Sequence, residues 1–309
     1  MSLFEIDGAC IKQREYVNIP AWHNKGYTGE GITVFCDDTK TQHHAEKVAD
    51  IMQIILPKAR VLTGNIGYTI KDGIIKSARI SCTQTGEILA FDEFIEKYDI
   101  SSINNSKGGN KGIYNMPESI FMAEKIKEYN LLLTGAAGNI NEGYIENVYL
   151  GAAIIVGSAN LINNRPVYGM KAIGEGIDFV MFRGWESGTS FSAPFLNAMG
   201  CLLRCKYGRQ LTQNQIYSYF KNHSKDMRTE EKDVYTGWGL PIMGDAQTVI
   251  KMQLGKKVMT VDNCKIEIDQ EPMQIKKTNR TVVPIRAIAE AFGAEVIWDE
   301  KTKTVTIIK

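Results

Sequence analysis

Three kinds of side chain that together can carry out acyl transfer stand at the ends of predicted strands and helices in this chain. Ser190 lies in "SGTSFSAP", residues 187–194, ahead of an apolar run in which Leu196, Met199, Leu202 and Leu203 recur at helical spacing. That spacing predicts a helix with Pro194 in its first turn and Ser190 at its mouth, where a hydroxyl either caps the helix or acts as a nucleophile. A nucleophilic serine needs a base within hydrogen-bond reach, a group that orients the base, and donors aimed at the developing oxyanion. The chain has four histidines. His23 lies in the N-terminal segment and His223 in a polar loop, whereas His43 and His44 open a predicted helix just after the strand "ITVFC", which runs into Asp37 and Asp38. The short turn "TKTQH" is an ordinary strand-to-helix connection, so a carboxylate and an imidazole meet at one sheet edge. The same aspartates also suit strand termination and capping. In "LLLTGAAGN" a buried strand runs into Ala136, Ala137 and Gly138, small enough for a substrate backbone to approach. Asn139 follows, with an amide suited to an oxyanion or to an ordinary turn.

The elements that must position these residues follow from the wider pattern. Short apolar strands alternate with amphipathic helices from about residue 30 to residue 205, which predicts an open parallel sheet with helices on both faces, an α/β fold holding its chemistry at the carboxyl ends of the strands. From Gly255 onward the pattern changes to short strands around one helix, a small α+β unit joined by Gly-Lys-Lys at 255–257. Its helix carries Val283, Ile285, Ile288, Ala289 and Phe292 as the expected core. With 309 residues and 44% hydrophobic content, the chain fills one large domain and a small one. Its 36 basic and 35 acidic residues give a net charge of +1 with no basic cluster, which argues against nucleic acid. No apolar run reaches a bilayer span, and the N-terminus lacks a secretory signal pattern, so a cytoplasmic location is expected. Cys10, Cys36, Cys82, Cys201, Cys205 and Cys264 contain no CxxC pair and are expected as reduced thiols.

The order Asp, His, Asn, Ser resembles the subtilisin-like serine proteases. Gly188-Thr189-Ser190-Phe191-Ser192-Ala193-Pro194 is similar to their "GTSxxxP" segment, and "AWHNKGYTGEGITVFCDDT", "HAEKVADIM", "SSINNSKGG", "GIDFV" and "TGWGLPIMGDA" resemble further landmarks in the family's order. The resemblance covers about 225 residues, from Ala21 to Ala246. It implies a three-layer subtilisin-like fold and a serine endopeptidase acting on protein or peptide through an acyl-enzyme. In it Ser190 would be the nucleophile, His44 the base, Asp38 the orienting acid and Asn139 the oxyanion donor. Asp38 is favoured over Asp37 because Asp38-Thr39 keeps the first two positions of the family's Asp-Ser/Thr-Gly, and His44 over His43 because Val48-Ala49 stands four residues on. Ser106, Lys107 and Gly108 match the family's substrate-binding strand. Gly108, Gly109 and Gly138 suggest a cleft in which peptide backbone pairs as an added strand, Lys107 standing either near the pocket, where it would favour acidic side chains, or in solvent.

The chain also departs from that pattern. Asp38 and His44 are only six residues apart, and no acidic cluster suits the calcium site of many relatives, so no cofactor or metal is expected. The match begins within the first 25 residues or so, which reads as an intracellular-type enzyme without a long pro-segment. The expected division is an N-terminal extension over 1–20, a peptidase domain over 21–254 and the small module over 255–309. The extension is expected as a docking strand or frayed terminus, or as a polar, extended cover for the cleft. The module's "RTVVPIRAIAEAFGAEVIWDEKTKTVTI" resembles the domain named for the N-terminal region of copper amine oxidases. It has no histidine, and docking or self-association is open to it. A catalytically impaired scaffold that binds protein is the alternative reading. An unrelated esterase is disfavoured because there is no GxSxG elbow.

Overall fold

The computed structural model describes residues 8–38, 41–107, 112–140, 143–169, 172–184, 186–246, 249–261, 264–292 and 294–308. The first described elements are helices α1 (Gly8–Tyr16) and α2 (Ile19–His23), parted by Asn18 in the left-handed region and restarted by Pro20 in the first turn of α2. Val17, Ile19 and Trp22 are fully buried in the main core, and Trp22 Nε1 donates to the Gly244 carbonyl at 3.0 Å. Gln13 bridges both backbone groups of Gly184. Residues 8–20 are thus helical and packed into the domain rather than extended or frayed, because their apolar side chains have a core to enter.

The main sheet is built from β1 (Thr33–Asp37), β2 (Arg60–Lys71), β3 (Ile74–Cys82), β4 (Ile88–Ala90), β5 (Ser102–Asn105), β6 (Leu132–Ala136), β7 (Ile154–Ile162), β8 (Arg165–Tyr168) and β9 (Phe179–Phe182). Its order is β4-β3-β2-β1-β5-β6-β7-β8, with β9 pairing β7. The centre is parallel, as the alternating pattern predicts, but β2–β3, β3–β4 and β7–β8 are antiparallel, which makes the sheet mixed. β1 pairs with β2 on one side and β5 on the other, so the sheet's switch point lies at the end of the strand that leads into Asp38.

Helices cover both faces. α3 (Gln42–Ile55), α6 (Thr189–Tyr207) and α7 (Gln213–Asn222) lie on one side, α4 (Phe91–Lys97) and α5 (Pro117–Tyr129) on the other. Alternation along β1 distributes its side chains: Val34 and Cys36 join the core under α3 and α6, and Phe35 joins the core under α4 and α5. α6 is buried along almost its whole length and is anchored by a polar contact to the sheet, where the Asn197 amide donates to the Ile103 carbonyl and Thr134 Oγ1, both at 3.0 Å. The strands β10 (Ser224–Lys225) and β11 (Leu240–Pro241) pair antiparallel after α7.

The C-terminal unit begins before Gly255. β12 (Ile250–Met252) pairs antiparallel with β13 (Val258–Val261), which pairs with β14 (Cys264–Glu267). Gly255, at φ 68°, sits inside that hairpin turn, so Gly-Lys-Lys is a turn rather than an open linker. Two separate hairpins follow, β15 (Met273–Ile275) with β16 (Arg280–Val282) and β17 (Glu295–Asp299) with β18 (Thr304–Ile308), flanking α8 (Ile285–Ala291). The expected helix core is only partly formed: Ala289 is buried and Ile288 half-buried, but Val283, Ile285 and Phe292 are exposed. Among the described residues the hairpins do not join one sheet, so no continuous sheet surface covers that face of the helix.

Cys10, Cys36, Cys82 and Cys201 are buried and Cys205 is half-buried, and none of the five is in a disulfide. Burial pushes the Cys36 thiol far up, aided by the charges of Asp38 and Asp37; it raises Cys201 to about 11 and Cys205 to about 12. Iodoacetamide at neutral pH should therefore modify these three in the native chain about 100-fold more slowly than after unfolding, as counted by mass spectrometry of the alkylated peptides. No helix among the described residues is long and apolar enough to cross a membrane.

Candidate active site

The carboxyl ends of β1, β5 and β6 and the N-terminal ends of α3 and α6 meet at one edge of the sheet. Asp38 continues β1 by one residue, its N–H donating to the Gly64 carbonyl at 2.8 Å. Two residues after Cys36, it turns to the α3 side, where its Oδ2 pairs with His44 Nδ1. The Asp38 side chain is fully buried and that of His44 is 17% exposed, so the acid is shielded while the imidazole keeps an open edge. Thr41 caps α3, its hydroxyl accepting the His44 N–H at 3.1 Å. His43 is exposed.

Asp37 faces the other side of β1 and belongs to a different centre. Its carboxylate takes the Lys107 ammonium at 2.5 Å, the Ile66 N–H and the Asn105 amide at 2.8 Å, and the Tyr149 hydroxyl at 3.3 Å. The ammonium of Lys107 therefore points into the protein, bound by Asp37, Asn65 and the Ile66 carbonyl. This replaces both expectations for it, a solvated lysine and one facing acidic side chains in a pocket. A buried carboxylate at the strand end draws the cation inward.

Ser190 is the second residue of α6 and is 3% exposed. It does not cap the helix. That part falls to Asn139, reaching across from the end of β6, whose Oδ1 accepts the Thr189 N–H at 3.0 Å. The use of Oδ1 orients the asparagine so that its NH₂ is turned away from the cap, beside a helix start whose first N–H groups have no intrahelical acceptor. Gly138 and Thr189 are joined by two hydrogen bonds, from the Gly138 N–H to Thr189 Oγ1 (3.0 Å) and from that hydroxyl to the Gly138 carbonyl (2.8 Å). Glu146 accepts the Asn139 N–H at 2.8 Å. Gly138 needs its glycine: at φ 105° a Cβ would stand 2.7 Å from that of Glu146.

The Ser190 hydroxyl donates to the Ser106 carbonyl at 3.2 Å, and Ser106 Oγ returns a bond to the Ser190 carbonyl at 2.7 Å. Among the described residues the serine hydroxyl is directed to Ser106 and not to His44. The imidazole is nonetheless next door: the ring of Phe191, the residue after Ser190, packs on His44 with centroids 5.0 Å apart at 49°. One turn beyond His44, Lys47 pairs with Glu186, tying α3 to the segment ahead of Ser190. Asp38, His44, Asn139, Ser190, Ser106 and Gly138 are thus gathered at one edge, whereas Gly108 and Gly109 lie outside the described residues. Sequence reasoning missed Glu146, Phe191 as a partner of the histidine, and the Asp37 network. Phe191 carried a usable signal, since it adjoins the serine in the motif itself.

The architecture is the subtilisin-like α/β fold, a serine protease fold. Among solved structures it is similar to a lanthipeptide protease (13% identity, covering 77% of this chain and 91% of that one, TM-score 0.51). It is also similar to the prenylagaramide maturation protease PagA (16%, 74% and 96%, TM-score 0.53). A third is fervidolysin from Fervidobacterium pennivorans, a keratinolytic enzyme related to subtilisin (16%, 80% and 47%, TM-score 0.53). At these identities the likeness is one of fold. Residues 242–307 match the family described as Copper amine oxidase N-terminal domain. Those residues contain no histidine and a single cysteine, Cys264, so the imidazole donors that suit copper(II) are missing. No curated protein sequence matches the chain.

Proposed function

We propose that this chain is a serine endopeptidase in which Ser190, His44, Asp38 and Asn139 act together. The observation that carries the reading is the division of labour at α6: Asn139 caps the helix, so the Ser190 hydroxyl is not spent on capping and stands at a buried helix start packed against an imidazole already paired with a buried carboxylate. A peptide strand laid along Ser106 and Gly138 would give its own N–H to the Ser106 carbonyl and release the Ser190 hydroxyl to turn toward His44. His44 Nε2 then takes the proton as Oγ attacks the scissile carbonyl. The Asp38 carboxylate holds the Nδ1–H tautomer and stabilises the imidazolium, and the Asn139 NH₂ with the Ser190 N–H receives the oxyanion. The imidazolium next protonates the leaving amine, and water repeats the sequence to free the acyl group and restore the serine. The substrate class is protein or peptide, and cysteines outside any disulfide fit a reducing compartment such as the cytoplasm.

Labelling with a fluorophosphonate probe followed by peptide mapping tests this without knowledge of the substrate. The expected result is modification of Ser190 in the wild-type chain, lost in Ser190→Ala and His44→Ala. A folded wild-type chain that stays unlabelled would favour a protein-binding scaffold without turnover, a reading to which the bond from Ser190 to Ser106 lends support.

A further inference from the structure

Across β1 from the His44–Asp38 pair lies an ionic centre that the reaction above does not use. Three oxygens converge on the Lys107 ammonium: Asp37 Oδ1 and Asn65 Oδ1, each at 2.5 Å, and the Ile66 carbonyl at 3.1 Å. They come from the end of β1 and the middle of β2, while the lysine itself stands two residues beyond the end of β5. An outer ring of polar groups holds the cage. Asn147 donates to Asn105 Oδ1 at 3.0 Å, and the Tyr149 hydroxyl, which reaches Asp37, is 2.8 Å from that of Tyr68. Burial first pushes both phenols well above their ordinary range, aided at Tyr68 by the Asp37 charge and at Tyr149 by Tyr68 and Asp37, so they stay neutral.

A buried ion pair of this kind is a poor source of stability, since an apolar pair of similar volume usually serves as well. Its location suggests another use. Asp37 is the residue before Asp38, and Lys107 is the residue after Ser106, whose carbonyl and hydroxyl both touch Ser190. The pair therefore ties together the two strand ends that carry the acid and the substrate-binding carbonyl.

We propose that Lys107 is a positioning residue, a built-in cation that holds the Asp38 strand end in register with the Ser106 strand end. Its catalytic consequence rests on the serine protease reading. Truncating the lysine leaves an oxygen-lined cage with one buried carboxylate, sized for a small ammonium ion.

The test uses the full chain and the rate of fluorophosphonate labelling at Ser190, with circular dichroism to establish that each variant is folded. Lys107→Ala is expected to label about 10- to 100-fold more slowly, the effect of a small misplacement of reacting groups. Methylammonium should restore most of that rate in a saturable way at constant ionic strength. Tetramethylammonium, which has no N–H donors, should not. A folded Lys107→Ala that labels at the wild-type rate, or that responds equally to the two amines, overturns the proposal. If Lys107→Ala does not fold, Asp37→Asn/Lys107→Met leaves no orphaned charge; it is expected to fold and label about 10- to 100-fold slowly, and wild-type labelling by it overturns the proposal. If the wild-type chain itself is unlabelled, the protease reading fails while the cage remains testable. Methylammonium should then raise the thermal midpoint of Lys107→Ala and not that of wild type, and equal midpoints would overturn the cage.

Discussion

Asp38→Asn is expected to lower kcat/KM for a peptide substrate, and the labelling rate of Ser190, by about ten-thousandfold. Asp38 Oδ2 accepts from His44 Nδ1 in a buried setting, so the amide has two ways to fail. If it presents its oxygen, the imidazolium that forms during attack loses its counter-charge. If it presents its NH₂, the histidine is driven to the tautomer with a proton on Nε2, where it cannot receive one from serine. Asp37→Asn should behave differently although the residues adjoin. It removes the partner of a buried ammonium, at a cost of about 3–5 kcal/mol in stability, with at most about a hundredfold loss of rate through misplacement. Measuring labelling rate and urea midpoint on both variants separates them. A larger rate loss for Asp37→Asn in a folded chain would transfer the catalytic role to Asp37.

The second large effect is at Asn139, whose oxygen accepts the Thr189 N–H and whose NH₂ is the proposed oxyanion donor. Asn139→Asp keeps an oxygen on the Thr189 N–H, and a carboxylate at a helix start is favourable, so the thermal midpoint should hold. The same change removes the NH₂ donor and sets a negative charge beside the developing oxyanion. The rate should fall by about 100- to 1,000-fold or more. Asn139→Ala loses the donor and the cap together, and should show a comparable rate loss with about 1 kcal/mol of destabilisation. Turnover on a casein or peptide substrate with a thermal melt reads both quantities. An Asn139→Asp variant that retained its rate would remove Asn139 from the oxyanion site.

The parallel centre of the sheet and its helices are legible in the sequence because each element carries its own periodicity. Leu196, Met199, Leu202 and Leu203 mark the buried stripe of α6, and β1 follows directly from its apolar residues. The β2–β3 hairpin was not anticipated, although Asp72-Gly73, both at positive φ, is a strong hairpin signal between the two strands. In the C-terminal unit periodicity identified an apolar helix face without saying what would cover it, and Val283, Ile285 and Phe292 lie exposed. Motif register favoured Asp38 over Asp37, but a physical warrant was also available in strand alternation. Val34, Cys36 and Asp38 share one direction and Phe35 and Asp37 the other, once it is known which face α3 covers.

By itself the sequence determined the alternating elements, the placement of Ser190 at a helix start, and the closeness of an aspartate and a histidine across one short connection. These are local properties, set by spacings of a few residues. The tertiary structure decided which aspartate meets the imidazole, that Asn139 and not Ser190 caps α6, and that Lys107 turns inward to Asp37. Each of these joins residues that the chain separates by a sheet crossing, or depends on which face of β1 a helix covers. Backbone pairing and burial select such contacts, and no local pattern records them.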